Sequence, residues 1–231
     1  VVDAGSTDGT WGMLEAYADK WDGLSIHQKP GERGACRNYA VEQSESDLVA
    51  FIDGDCIANP YWATELRKGY EDAPIVAGKT IDMGYWAFEN LHRVELEHRG
   101  VDVTFPSCNL AYERSIFDEV TGFDDRFITA EDIDLNFRAV EKGYEITHRP
   151  QAIVYHRARD SFKGFFKQAF WNGYGRKQLT LKHGRLWRDY SFRRMLETQF
   201  HFWGLARLGA AAAGYLYAYV AEPHWDDAQD A

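Results

Sequence analysis

Asp53 and Asp55 stand one residue apart across Gly54, directly after the apolar run Leu48-Val49-Ala50-Phe51-Ile52. Where a strand continues past its last paired residue, positions i and i+2 face the same side, so the two carboxylates are presented together. Gly54 lets the backbone turn and leaves room for a ligand to approach. Two hard oxygen donors on one face suit Mg(II) or Mn(II), ions that keep coordination positions open for phosphate oxygens. An acidic turn capping the following helix would use the same residue types. The wholly apolar strand immediately before the pair favours the metal reading. Asp3 follows Val1-Val2 in the same way, and Thr129-Ala130-Glu131-Asp132 opens a segment carrying Ile133, Leu135, Phe137 and Val140. Acidic residues complement a helix N-terminus, whose field lowers a carboxylate pKa. A proton-accepting carboxylate there needs partial burial or acidic neighbours to offset that field. Asp134 and Arg138, at i and i+4, read as an ordinary helix pair with no chemical role.

The segments that must position these residues alternate in character. Ser6-Thr7-Asp8 supplies N-cap residues for a helix in which Trp11, Leu14, Tyr17 and Trp21 recur at helical spacing. Leu24-Ser25-Ile26 reads as a short strand stopped by Pro30-Gly31, and residues 35–43 read as a helix. Residues 48–52 have the uninterrupted apolar character of a strand buried on both faces. Pro60 opens a helix running to about Tyr70, and Ile75-Val76-Ala77 is the next strand. This alternation predicts an α/β fold, a mainly parallel sheet between helices. Parallel sheets collect ligands at the carboxyl ends of their strands, which is where Asp3 and the Asp53–Asp55 pair fall.

Composition narrows the class. The 231 residues include 8 Trp, 13 Tyr and 14 Phe, too many large rings for a disordered chain. Cys36, Cys56 and Cys108 lack C-x-x-C spacing, which excludes a disulfide scaffold or a Cys-based zinc site and points to a reducing, cytoplasmic compartment. The net charge is −10, yet residues 157–207 hold twelve Lys and Arg against three Asp and Glu. An acidic body with a basic, aromatic tail divides the chain into residues 1–156 and a helical region of residues 157–231. The overall acidity argues against nucleic acid and leaves anionic lipid or phosphorylated ligands as partners. Within the tail, the 20 residues from Phe202 to Ala221 carry one charge, Arg207, a length that suits a bilayer span. Gly204, Gly209 and Gly214 interrupt it, and Trp203, Tyr215, Tyr217 and Tyr219 suit an interfacial segment equally. The expectation is a membrane-associated tail, peripheral or anchored at the cytoplasmic face.

Six segments occur in order: Val2 to Thr10, Ala35-Cys36-Arg37-Asn38, Phe51 to Asp55, Cys108-Asn109-Leu110-Ala111, Gly122-Phe123-Asp124 and Glu131 to Leu135. Their order and spacing resemble the family 2 inverting glycosyltransferases, which use the GT-A fold, over residues 1–156. The resemblance implies a nucleotide-diphosphate sugar donor and a glycan or lipid-linked acceptor. It implies that Asp3 holds the uracil or ribose, that Arg37 lies against the nucleotide, and that Asp53 touches ribose or metal. Asp55 would be the main ligand of Mn(II) or Mg(II). Asp132 would be the general base, with Glu131 orienting it or contacting the acceptor, and Asn109 would line the cleft. By the same resemblance His156, at the end of the run Ala152-Ile153-Val154-Tyr155, would complete the metal shell or touch the diphosphate. Arg176, then Lys177, would bind the diphosphate from a segment closing over the donor.

The sequence departs from the family pattern in places. Ala4 stands where many relatives carry a second Asp, and Val120-Thr121-Gly122 replaces the usual Gly-Gly before Phe123-Asp124. The family begins with a strand and helix upstream of the Val-Asp segment, so the sequence reads as N-terminally truncated. Inverting transfer needs a base on the acceptor side and charge stabilisation on the leaving-group side, and no covalent nucleophile. Two other classes use similar sheets. A nucleotidyltransferase would want a Gly-rich, basic phosphate loop after its first strand, and a noncatalytic nucleotide-sugar-binding module would need no base.

Overall fold

Short extended segments pair wherever a neighbour lies in register, and the chain has nine such strands among the residues that the computed structural model describes: 1–84, 91–157, 161–184, 186–190 and 192–222. In chain order they are β1 (Val2–Asp3), β2 (His27–Gln28), β3 (Leu48–Phe51), β4 (Cys56–Ala58), β5 (Ile75–Met83), β6 (Glu97–His98), β7 (Val101–Asp102), β8 (Leu110–Glu113) and β9 (Ile146–Arg157). β1 and β2 form a parallel pair joined through the helix Thr10–Ala18, and β6 and β7 form a small hairpin. The predicted strand at Leu24–Ile26 is displaced to His27–Gln28, where the backbone meets Val2 and Asp3.

The central sheet has the order β3-β8-β5-β9-β4, and its pairing corrects the expectation of a mainly parallel sheet. Only β5 and β9 are parallel; β3–β8, β8–β5 and β9–β4 are antiparallel. The reason is insertion. β3, β5 and β9 do run the same way, as crossover helices require. β8 enters later from the opposite direction and wedges between β3 and β5, converting one parallel neighbour pair into two antiparallel ones. β4 turns back within a few residues of β3 and pairs along β9.

β3 also departs from expectation. Val49 and Phe51 are buried while Leu48 and Ala50 are exposed, because β3 is the edge of this sheet and only one of its faces is covered. An unbroken apolar run does not reveal how many faces are covered. On β5 the alternation divides two cores. Ile75 and Ala77 join Val49, Phe51, Tyr112, Phe117, Phe123 and Leu135 on one face. Val76 packs with Ala111, Ala152 and Leu66 of the helix Trp62–Gly69 on the other.

The C-terminal region is helical, over Phe162–His183, Phe192–Gln199 and Phe202–Ala221. Among the described residues no helix, Phe202–Ala221 included, is long and apolar enough to cross a membrane. The small residues of this segment serve helix packing. A Cβ at Gly173 would fall 1.8 Å from the Ala211 carbonyl oxygen, and one at Gly214 would fall 1.8 Å from that of Phe170. Two helices approach this closely only where side chains are absent. Leu179 and Leu186 then bury against Phe127, Ile133 and Phe137 of the first 156 residues.

Candidate active site

β1 ends at Asp3, and the chain turns back on that carboxylate. Asp3 accepts hydrogen bonds from the Ser6 hydroxyl at 2.5 Å, the Ser6 and Gly5 N–H groups at 3.1 and 3.2 Å, and Gln28 Nε2 at 3.4 Å. The Ser6 hydroxyl chiefly holds its pKa below the usual carboxylate range, against an opposing effect of burial. Asp3 therefore shapes its own loop, with Gly5 supplying the left-handed conformation (φ 102°) that the turn requires.

The Asp53–Asp55 segment links β3 to β4. The Cys56 N–H bonds back to the Asp53 carbonyl at 3.0 Å, and the Arg157 N–H bonds the Asp55 carbonyl at 3.0 Å. This turn sets Asp55 beside the end of β9, where His156 Nε2 lies 3.7 Å from Asp55 Oδ2. On its other side the ring meets Asp82, with His156 Nδ1 2.7 Å from Asp82 Oδ1. That hydrogen bond raises the His156 pKa, burial opposes it, and the carboxylates of Asp82, Asp55 and Asp53 add to the rise. One ligand atom each from Asp55, Cys56 and His156 lie within 4.8 Å of one another. An oxygen–nitrogen donor pair fits a first-row divalent ion such as Mn(II) better than Mg(II), which prefers oxygen alone.

The second acidic cluster opens the helix Glu131–Glu141, after Ala130 in a left-handed conformation. Asp132 Oδ2 accepts the Ser107 N–H at 3.1 Å, and its Oδ1 accepts the Ile133 N–H at 2.9 Å. Ser107 immediately precedes Cys108 and β8, so this bond ties the helix N-terminus to the inserted strand. Burial, then the charge of Asp132, raise the Glu131 pKa, while Arg33 and Arg37 pull it down.

One residue joins the two clusters. Arg37, on the helix Arg33–Glu42, donates through Nη2 to Asp53 Oδ1 at 2.6 Å and through Nη1 to Glu131 Oε1 at 2.8 Å. Its guanidinium lies 5.5 Å from the centre of the Phe123 ring. Burial alone would lower its pKa, and Asp53 and Glu131 more than reverse that. Cys108 reports the same convergence: burial, then Cys56 and Asp53, push its thiol up, and Asp132 contributes to the shift. Residues 37, 53, 108, 131 and 132 are thus neighbours, although up to 95 positions separate them.

The family model described as glycosyl transferase family 2 matches residues 1–128, more than half of the chain. The chain belongs to glycosyl transferase family 2. Among relatives in this family, glycosyltransferase AglE of Haloferax volcanii is 30% identical over 193 residues, covering 78% of this chain and 62% of its own. The O-antigen chain rhamnosyltransferase RfbN of Salmonella typhimurium is 26% identical, covering 72% of this chain and 60% of its own. The chain therefore spans about three-fifths of the length of these relatives. A mannosyltransferase from Pyrobaculum calidifontis, solved with GDP-Man and Mn2+, has a TM-score of 0.62 at 19% identity, covering 96% of this chain and 65% of its own. TarS of S. aureus, solved with UDP-GlcNAc, has a TM-score of 0.56 at 18% identity, covering 94% and 71%. These two likenesses establish a GT-A fold for this family 2 chain.

Three residues singled out in the family 2 pattern are engaged elsewhere. Asn109 is fully buried, with Nδ2 donating to the Ala152 carbonyl at 3.0 Å and Oδ1 accepting from Trp62 Nε1 at 2.8 Å. Its amide is spent inside the sheet rather than lining a cleft. Arg176 donates to the Val94 carbonyl and the Tyr190 hydroxyl. Lys177 is buried between the Tyr215 and Tyr219 rings. None of the three shares a hydrogen bond or ion pair with Asp53, Asp55, Glu131 or Asp132. Helix periodicity gives a residue's face on its own helix but not which partner occupies that face.

Asp134 proves more than half of a surface pair. Its buried carboxylate meets Arg138 at 2.8 Å, Lys182 at 2.8 Å and His183 at 2.7 Å, so the helix Phe162–His183 grips the helix that carries Asp132. Lys182 also reaches Asp124 at 2.7 Å. Burial would raise the Asp124 pKa, but hydrogen bonds from Arg126 and Lys182 hold it well below the usual carboxylate range. A depressed folded-state pKa stabilises the fold above the unfolded value, about 3.9, and this contribution is lost as pH falls through the folded value. Asp124→Asn is accordingly expected to lower Tm most at neutral pH, with the gap to wild type shrinking below about pH 4. Thermal melts across pH check this, and a gap that widens in acid would contradict it.

Proposed function

We propose that this chain performs inverting glycosyl transfer, moving a sugar from a nucleotide-diphosphate donor to a hydroxyl of a glycan or lipid-linked acceptor. The observation that supports it is the Arg37 bridge, which holds the Asp53–Asp55 turn and the Glu131–Asp132 helix end at one place. Asp132 takes the proton of the acceptor hydroxyl as that oxygen bonds to the anomeric carbon. The carbon–oxygen bond to the diphosphate breaks on the opposite side, and its electron pair leaves with the nucleoside diphosphate. Asp55 and His156 would hold a divalent cation, which when bound offsets the charge developing on the diphosphate. Glu131, fixed by Arg33 and Arg37, keeps the helix end from turning away. Asp3 orients the loop that faces the nucleoside. The GDP-Man and UDP-GlcNAc complexes of the two structural neighbours are consistent with a donor of this class.

Calorimetric titration of the chain with GDP-Man and UDP-GlcNAc, with and without Mn(II), tests this reading. Expected is donor binding that needs Mn(II) and weakens at least tenfold in Asp55→Ala. Binding indifferent to both would overturn it. Pyrophosphate released from a nucleoside triphosphate would instead indicate nucleotidyl transfer, and donor binding with no transfer would indicate a noncatalytic module.

The proposal extends to a peripheral site at the cytoplasmic face of a membrane. Phe202, Leu216, Tyr217, Tyr219 and Val220 expose large apolar surfaces on the helix Phe202–Ala221, as does Phe200 just before it, and Lys163 and Lys167 are exposed on the helix packed against them. Apolar rings with nearby lysines suit an anionic interface. Co-sedimentation with anionic vesicles, lost in Phe202→Ser/Val220→Ser, is the expected result; equal pelleting with and without vesicles would remove this element.

A further inference from the structure

The strands β4, β9 and β5 lie side by side, and their register sets Cys56 opposite His156 and His156 opposite Asp82. Side chains opposite one another share a face of the sheet, so this row crosses three strands at its edge beside the Asp53–Asp55 turn. Within it, the imidazole of His156 has a carboxylate at each nitrogen: Asp82 Oδ1 at 2.7 Å from Nδ1, and Asp55 Oδ2 at 3.7 Å from Nε2. The two distances differ in meaning. The first is a hydrogen bond; the second is too long for one and leaves Nε2 facing Asp55 across a gap.

We propose that Asp82 is a positioning residue that holds His156 with its proton on Nδ1 and its Nε2 lone pair turned to the Asp55 side, so that the two residues receive one divalent cation. This rests on the metal-assisted reading above. A ligating imidazole that donates its other N–H to a carboxylate is fixed in tautomer and ring angle, and becomes a stronger donor. An ordinary structural role accounts poorly for the pair. The Asp82 and His156 side chains are 43% and 22% exposed, and an ion pair that open to solvent contributes little to stability. The remaining structural candidate is the charge of Arg207, whose guanidinium lies in the field of Asp82 but hydrogen-bonds the His92 carbonyl and Gln199. No local motif announces Asp82. It lies near the end of β5, one strand over from His156, and only the bulged register between β5 and β9 makes them neighbours.

Mn(II) titration by calorimetry, compared across wild type, Asp82→Asn, His156→Ala and Asp55→Asn, tests this. Expected is a loss of roughly 10- to 100-fold in Mn(II) affinity for Asp82→Asn, with Tm changed by no more than a few degrees. The second readout is the nitrogen spectrum of the His156 ring in metal-free protein, in alkaline buffer where the ring is neutral. Wild type should show Nδ1–H, and Asp82→Ala should shift toward Nε2–H. Wild-type Mn(II) affinity retained in Asp82→Asn, or an Nε2–H ring in wild type, would overturn the role of Asp82 alone. A lower Tm with unchanged Mn(II) affinity would assign Asp82 to Arg207 and overturn it equally. No Mn(II) binding by wild type would overturn the metal-assisted reading with it.

Discussion

Arg37→Ala is expected to lower Tm by on the order of 10 °C and to abolish glycosyl transfer. The side chains of Arg37 and Glu131 are 12% and 4% exposed, so the bridge is made where water cannot replace the lost partner. Removing one member of a buried ion pair strands the other charge and costs about 3–5 kcal/mol. Here the loss has two ends, because the same guanidinium neutralises Glu131 and pins Asp53. Arg37→Lys is expected to recover part of the Tm and little of the activity, since one ammonium lacks the planar fork that reaches both carboxylates. Arg37→Met combined with Glu131→Gln should melt closer to wild type than Arg37→Ala, having removed the stranded charge. Melting curves and nucleoside-diphosphate release, measured on the same preparations, check these. A wild-type Tm and rate for Arg37→Ala would show that the two clusters do not depend on it.

Asp132→Asn is expected to reduce transfer by about 10²- to 10⁴-fold while leaving donor affinity nearly unchanged. The amide has a single oxygen, so of the Ser107 and Ile133 N–H groups that Asp132 accepts through separate oxygens it can hold only one, and that bond keeps the helix end in place. What it loses is the capacity to take a proton from a hydroxyl. Retained turnover would move the base to another residue. A loss of donor affinity as large as the loss of rate would make Asp132 a binding group.

Much of the site was legible because its chemistry is local. Asp53-Gly54-Asp55 after an apolar strand, and Glu131-Asp132 at the start of a helical period, are readings of residue type and spacing over a few positions. The structure keeps both at the ends of the predicted elements. Arg37, expected against a nucleotide, has two carboxylates of the chain itself as its immediate partners, Asp53 and Glu131, which its own neighbours in sequence do not announce. Asn109 turns away from its neighbour Ser107, whose N–H meets Asp132: the 3-10 turn Ser107–Asn109 carries its side chain to Trp62 and the Ala152 carbonyl. Asp134 looked ordinary because its partners Lys182 and His183 lie some fifty residues later in the chain.

By itself, the sequence determined the α/β class, the shared direction of β3 and β5, the carboxylates at element ends and the family to which they point. Those features follow from the periods of strand and helix and from turn chemistry, which act over a few residues. Only the tertiary structure decided that β8 inserts to make the sheet mixed, that Arg37 spans the two acidic clusters, and that Asp82 stands beside His156. Each of these is a register between segments distant in the chain. Register is set by the competition of whole faces for burial, a quantity that no short window of residues contains.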